Sequence, residues 1–172
     1  LWVAFHTAAP TWVVAAALFV NTSAVVLFQV RLSRGVATPA DGASVARSAG
    51  SLLAAGMLIY SAAAVVDSAL WATAAILVGS AVHVAGEIRQ AAASWAIGFG
   101  LPPQHLQGQY QAVWQVGFSL EQFVAPMFLT SVVIALGTTG WLLLAAILFL
   151  AGAASAPTMA AAGSVRSHAA TT

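Results

Sequence analysis

Residues 69–98 read ALWATAAILVGSAVHVAGEIRQAAASWAIG, thirty residues in which the only charges are Glu87 and Arg89. A helix needs roughly 20 apolar residues to cross about 30 Å of hydrocarbon, and this stretch is longer than that. It lacks the alternation of a half-buried strand, and an open sheet edge has no place in lipid. The stretch therefore reads as a membrane-crossing helix, ended by Pro102-Pro103.

Four similar stretches surround it. They cover about 12–30, closed by Arg31 and Arg34; about 48–66, between Arg47 and Asp67; about 111–136; and 141–156, ended by Pro157. The expected fold is an all-α polytopic bundle of five spans. Composition agrees: 5% of residues are charged, against about 25% in an ordinary soluble domain. Hydrophobic residues make up 61% and mean hydropathy is +0.94, more apolar surface than 172 residues can hide from water. Residues 35–45 form the one sizeable loop, 137–140 a turn, and 157–172 an Ala/Ser/Thr-rich tail expected to be disordered.

Several function classes drop out. There is no cysteine, hence no disulfide framework and no thiolate metal site. A net charge of +1 gives no basic field for nucleic acid. The sequence contains no His-Glu-x-x-His, no Gly-x-Ser-x-Gly and no phosphate loop. Neither an enzyme nor a bound cofactor is expected.

Orientation follows from the arginines. Arg31, Arg34 and Arg47 flank the first long connection, Arg89 lies toward the end of the third span and Arg166 in the tail, with none on the opposite side. The positive-inside rule puts residues 31–47, 99–110 and 157–172 in the cytoplasm. Trp12, Trp71 and Trp141 then fall at the outer interface, and Trp95 and Trp114 toward the inner one.

Polar side chains are costly in lipid, so their positions carry the functional information. The second and fifth spans carry almost none and read as peripheral, lipid-facing supports. In the third, His83, Glu87, Gln90 and Ser94 share one helical face; in the fourth, Gln111, Gln115, Ser119 and Gln122 form another stripe with Glu121 to one side; the first carries Asn21 and Gln29. Asn21, Gln29, Gln115 and Gln122 read either as hydrogen-bonding glue between helices or as cavity lining. An intramembrane carboxylate such as Glu87 marks a pathway by default. His83, one turn earlier, either shares a proton with Glu87 or sits neutral in the bundle. Glu121 is either a cavity carboxylate or the partner of an arginine outside this sequence. Arg89 points away from the stripe and is expected to snorkel to the interface. Gly50, Gly56, Gly79 and Gly86 allow close helix approach.

From Gly86 onward the order of residues resembles the second half of a major facilitator superfamily transporter. Gly86-Glu87 is similar to that family's Gly-Glu in the tenth helix, and Leu101-Pro102-Pro103 with Leu106-Gln107-Gly108-Gln109-Tyr110 to its cytoplasmic "APxxxRGRY" junction. Ala125-Pro126 resembles its Gly-Pro in the eleventh helix, and Asn21 with Gln29, Arg31 and Arg34 its eighth helix in drug-efflux-like members. The likeness covers about 12–156; it departs at Gln107 and Gln109, which stand where the family has basic residues.

The resemblance implies helices eight to twelve of a twelve-helix transporter working by alternating access. Eight, ten and eleven would face the cavity, with nine and twelve outside. The implied activity is proton-coupled export of small, partly apolar molecules across the plasma membrane, with the C-terminus cytoplasmic. The implied partners are the bilayer, the N-terminal half of the same transporter, a small-molecule substrate and protons. An odd number of spans and a start at Leu1 imply at least one preceding helix. The alternative is a small integral membrane protein with a structural or assembly role, in which every polar residue is glue.

Overall fold

The computed structural model describes residues 1–169, with 156 and 158–169 described by backbone alone. The elements are all helical: α1 (Trp2–His6), α2 (Val13–Leu32), α3 (Pro39–Ala63), α4 (Ala69–Gly100), a 3₁₀ turn (Gln104–Leu106), α5 (Gln107–Leu136) and α6 (Thr138–Ala169). Five helices, α2 to α6, are long and apolar enough to cross a membrane. No strand occurs among the described residues. The protein is thus a membrane-type helical bundle, as the composition requires.

Three boundaries differ from the sequence expectation. The loop expected over 35–45 is shorter, because α3 begins at Pro39. The Thr38 hydroxyl accepts the Asp41 backbone N–H at 3.1 Å while Asp41 Oδ2 accepts the Thr38 backbone N–H at 2.9 Å. This reciprocal cap with proline in the first turn is a strong start signal; loop-like composition masked it. The expected turn over 137–140 contracts to Gly137, which takes φ +55° and lets α6 start at once. Finally, the break and disordered tail expected from Pro157 are not what the backbone does: Pro157 lies inside α6, which continues to Ala169. An alanine-rich stretch carries high helix propensity, so one proline need not end it. Residues 170–172 of the expected tail lie outside the described residues.

The core sits where α3 packs antiparallel to both α4 and α6. One α3 stripe (Ala46, Ala49, Gly50, Leu53, Ala54, Met57) is buried. At the α6 crossing, a Cβ on Gly50 would lie 2.8 Å from Gly152 Cα and 2.8 Å from the Leu148 carbonyl oxygen. At the α4 crossing, a Cβ on Gly56 would lie 3.1 Å from His83 Cβ. Only glycine admits backbones this close, the usual device where lipid removes any hydrophobic drive for association.

α2 runs parallel to α4 on a different side and buries only Val13, and α5 buries only Val133. Here the sequence expectation is corrected: the second span is the packing hub rather than a peripheral support, and the open faces belong to α2 and α5. Apolarity alone does not separate lipid-facing from helix-facing residues, because lipid tails are as apolar as leucine.

At the end of the bundle away from the basic loops, α1 tucks in through Trp2. Its ring meets Trp141 edge-on with centroids 5.1 Å apart, and Trp141 lies 5.1 Å from Tyr60. Trp141 is thus a packing residue. Trp12 and Trp71 stand 59% and 66% exposed, as interfacial tryptophans should.

The glycine contacts give a direct test. Gly50→Val should lower unfolding stability in detergent by about 1–3 kcal/mol, the usual cost of overpacking. Gly117→Ala, where nothing lies within 4 Å, should leave stability unchanged or raise it by up to about 1 kcal/mol. Equal thermal midpoints for wild type and Gly50→Val would remove α3–α6 as the core contact.

Candidate functional site

The polar cluster lies where α2 meets α4. Glu87 stands four residues after His83, so both project from one α4 face. His83 Nε2 lies 3.4 Å from Glu87 Oε1. From α2, Asn21 Nδ2 donates to Glu87 Oε2 at 2.8 Å. Both carboxylate oxygens therefore have a donor, one from each helix. The Glu87 side chain keeps 48% of its surface open and that of His83 24%.

His83 Nδ1 is buried without a hydrogen-bond partner. A hydrogen on Nδ1 would point at no acceptor, whereas one on Nε2 points at Glu87. The geometry assigns the imidazole hydrogen to Nε2. His83 is then a donor to Glu87 and not a through-relay, because a relay needs a partner on each nitrogen. Asn21 is more versatile: its amide donates to a carboxylate through Nδ2 and, once turned, accepts from a carboxylic acid through Oδ1.

Below Glu87, toward the basic end, α2 and α4 separate around a cavity of about 390 Å³. Val25 and Gln29 line it from α2, Ser33 from just past the end of α2, and Glu87, Ile88 and Trp95 from α4. Glu87 is its one charged lining group. The volume falls in the range of small-ligand sites, which combine apolar walls with a few placed polar groups. Trp95 stacks on Phe99 with centroids 5.0 Å apart.

The structure joins three of the seven expected site residues, Asn21, His83 and Glu87. Gln90, Gln115, Glu121 and Gln122 are exposed, and no hydrogen bond described ties their side chains to the cluster. Gln29 lines the cavity. Gln111 has a structural role: its Nε2 donates to the Gly98 carbonyl at 3.0 Å, while Gln107 donates to the Phe99 carbonyl at 3.3 Å. These bonds satisfy orphan carbonyls at the end of α4 and anchor α5 there. Arg89 is held on α3, its Nε donating to Ser48 Oγ at 3.0 Å.

Sequence reasoning missed the cavity wall. Glu87, Ala91 and Trp95 recur every four residues on one α4 face, the spacing that would have exposed it. It also missed Tyr60, whose hydroxyl lies 3.0 Å from Ser80 Oγ and whose ring lies 6.3 Å from that of His83. Ser80 in turn donates to the Ile76 carbonyl at 2.8 Å. No family model, no curated protein and no solved structure matches the chain.

Water access separates the polar faces from the packed ones. Single cysteines at Gln90, Gln115 and Gln122 should react with membrane-impermeant maleimide in the membrane-embedded protein. A cysteine at Leu144, which is 4% exposed, should stay unlabelled. Equal protection at all four positions would mean that the polar stripes are dry contacts.

Proposed function

We propose that the chain is part of a secondary active transporter of the major facilitator type, contributing helices eight to twelve and working by alternating access. Its activity is proton-coupled export of small, partly apolar molecules across the plasma membrane. The observation that carries this reading is the Glu87 carboxylate, half open in a membrane-length helix, bonded to Asn21 from a second helix and lining a cavity between them. An ionisable group at such depth is costly unless it does something.

Three further features support it. The order of Gly86-Glu87, Leu101-Pro102-Pro103 and Ala125-Pro126 resembles the superfamily. α2 and α5 leave broad apolar faces open, as a half would that packs against its missing partner. The arginines gather at one end of the bundle, which supports a cytoplasmic C-terminus.

In this reading Glu87 is the group whose protonation changes during the cycle. As a carboxylate it accepts from Asn21 and His83 and gives the cavity its negative charge. As an acid it donates one hydrogen, the Asn21 amide turns to accept it, and the cavity becomes neutral. Substrate occupies the side of the α2–α4 seam that faces the other half, near the midplane where such sites lie. The competing reading treats the Asn21–Glu87 bond as interhelical glue, worth about 1 kcal/mol, in a protein of structural role. The 2.8 Å length of that bond suits both.

Glu87→Gln in the full-length protein separates them. It keeps the hydrogen bonds and removes titration, so uphill efflux driven by a proton gradient in everted vesicles should be lost, while insertion and downhill exchange persist. Uphill transport at the wild-type rate would make Glu87 structural. Glu121→Gln should cost less, since its side chain takes no part in the cluster.

Topology is testable separately. A reporter at Gly35, which has open space around it, or after Thr172 should read cytoplasmic. One inserted between Gly137 and Thr138 should read external. Gly42 is unsuitable, because a Cβ there would come within 2.9 Å of Ile97. A cytoplasmic signal at Gly137–Thr138 would overturn the orientation.

A further inference from the structure

Arg89 is a cation in a membrane-length helix with no carboxylate to answer it. Among the described residues no arginine lies within ion-pair distance of a carboxylate; Glu87 has only His83 and Asn21 beside it. Asp41 is engaged by Thr38, Glu87 by Asn21 and His83, Asp67 lies at the opposite end of α3 and α4, and Glu121 is on α5. The partner Arg89 does have is Ser48, which takes its Nε hydrogen at 3.0 Å and donates its own to the Val45 carbonyl at 2.8 Å. That bond pins the guanidinium in the α3–α4 groove and leaves its terminal N–H donors without a protein acceptor among the described residues.

The depth of this groove can be read along the helices. Trp12 and Trp71 mark one interface. Arg89 lies eighteen residues beyond Trp71 on α4, about 27 Å of axis at 1.5 Å per residue. Arg31 lies nineteen residues beyond Trp12, about 28 Å. With a hydrocarbon core of about 30 Å, both arginines stop just short of the opposite headgroups, and their long side chains cover the remaining few ångströms. Ser48, which holds Arg89, lies at the same level on α3 and is partly exposed. Deeper, Val78 lies on the Arg89 face of α4 and is 54% exposed. A cation and a hydroxyl at headgroup level thus continue into an apolar side chain at chain level.

We infer that the α3–α4 groove at Ser48 and Arg89 binds the phosphate of an anionic phospholipid, whose acyl chain lies along Val78. The guanidinium fork matches a phosphate's oxygens in geometry and charge. Basic pockets between membrane helices hold anionic headgroups in this way. A zwitterionic lipid is the poorer ligand, because its own cation meets an arginine and no carboxylate. Free inorganic phosphate offers the same oxygens but makes no use of the apolar side chain. The site faces away from the α2–α4 cavity and is independent of the transport reading.

The test is native mass spectrometry of the delipidated full-length protein titrated with phosphatidylglycerol, phosphatidylcholine or inorganic phosphate. Phosphatidylglycerol should stay bound where phosphatidylcholine does not, and inorganic phosphate should not displace it. Arg89→Gln should weaken phosphatidylglycerol about fivefold, the effect of one surface arginine, and Arg89→Lys should recover part of the loss. Ser48→Ala should weaken it less, by freeing the guanidinium to wander. Should Arg89→Gln fail to accumulate, the wild-type lipid comparison and Ser48→Ala still decide. Glu87→Gln should bind phosphatidylglycerol as wild type does, which keeps this result separate from that of the transport assay. Equal retention of both lipids, displacement by inorganic phosphate, or unchanged affinity in the arginine variants would overturn the proposal.

Discussion

The close approach of α3 to α4 and α6 is the contact on which the rest of the bundle depends. Hydrocarbon offers no hydrophobic reward for bringing helices together, so association rests on dispersion, interhelical hydrogen bonds and small side chains. α3 supplies the small side chains: Gly50 meets Gly152 of α6, and Gly56 meets the His83 backbone and Cβ of α4. Enlarging either residue moves two helices, because α3 is wedged between them. α2 and α5 add little burial, so their positions follow from α4 and its C-terminal end.

With one side of α4 fixed against α3, helical geometry assigns its charges. Glu87 and Arg89 are two residues apart, hence about 200° apart around the axis, and they do not pair. Glu87 projects toward α2 and is met by Asn21; Arg89 projects toward α3 and is met by Ser48. Each charge in this helix is thus answered by a neutral polar residue from a different neighbour. Neutral partners leave the carboxylate and the guanidinium uncompensated, and therefore able to bind something else. A mutual ion pair would have satisfied both and left neither available.

The polar pattern of the sequence revealed the class and the five long helices, and singled out Asn21, His83 and Glu87 without joining the first to the others, because lipid makes each polar residue conspicuous. It could not rank the helices by burial. Ala46, Ala49 and Ala54 are as apolar facing lipid as facing a neighbour, so only the glycine spacing of α3 hinted that this helix is central. The cap at Thr38 and Asp41 was legible as Thr-Pro-x-Asp but was hidden by a loop-like mixture of Gly, Pro and Asp. The cavity was less legible still. It is shaped by the diverging paths of α2 and α4, and Val25, Ser33 and Trp95 look like ordinary span residues until those paths are known. Glu121, Gln115 and Gln122 show the reverse case: their stripe is plain in the sequence, yet α5 brings it to no partner in this chain.

In the proposed transporter, the surroundings of His83 bear on how a proton would reach Glu87. One side of the imidazole packs near Tyr60, which continues through Trp141 to Trp2 at the end of the bundle. That route is aromatic and closed: Trp2 Nε1, Trp141 Nε1 and His83 Nδ1 are all buried without partners. Proton hopping needs a continuous chain of donors and acceptors, and here the chain stops at Nδ1. The open approach to Glu87 is the opposite one, through the cavity bounded by Gln29, Ser33 and Trp95. A proton arriving there and a molecule occupying the cavity would use the same side of the same carboxylate. If Glu87 is the coupling group, the two cannot hold it at once, and exchange of one for the other follows from the geometry without a separate gate between them.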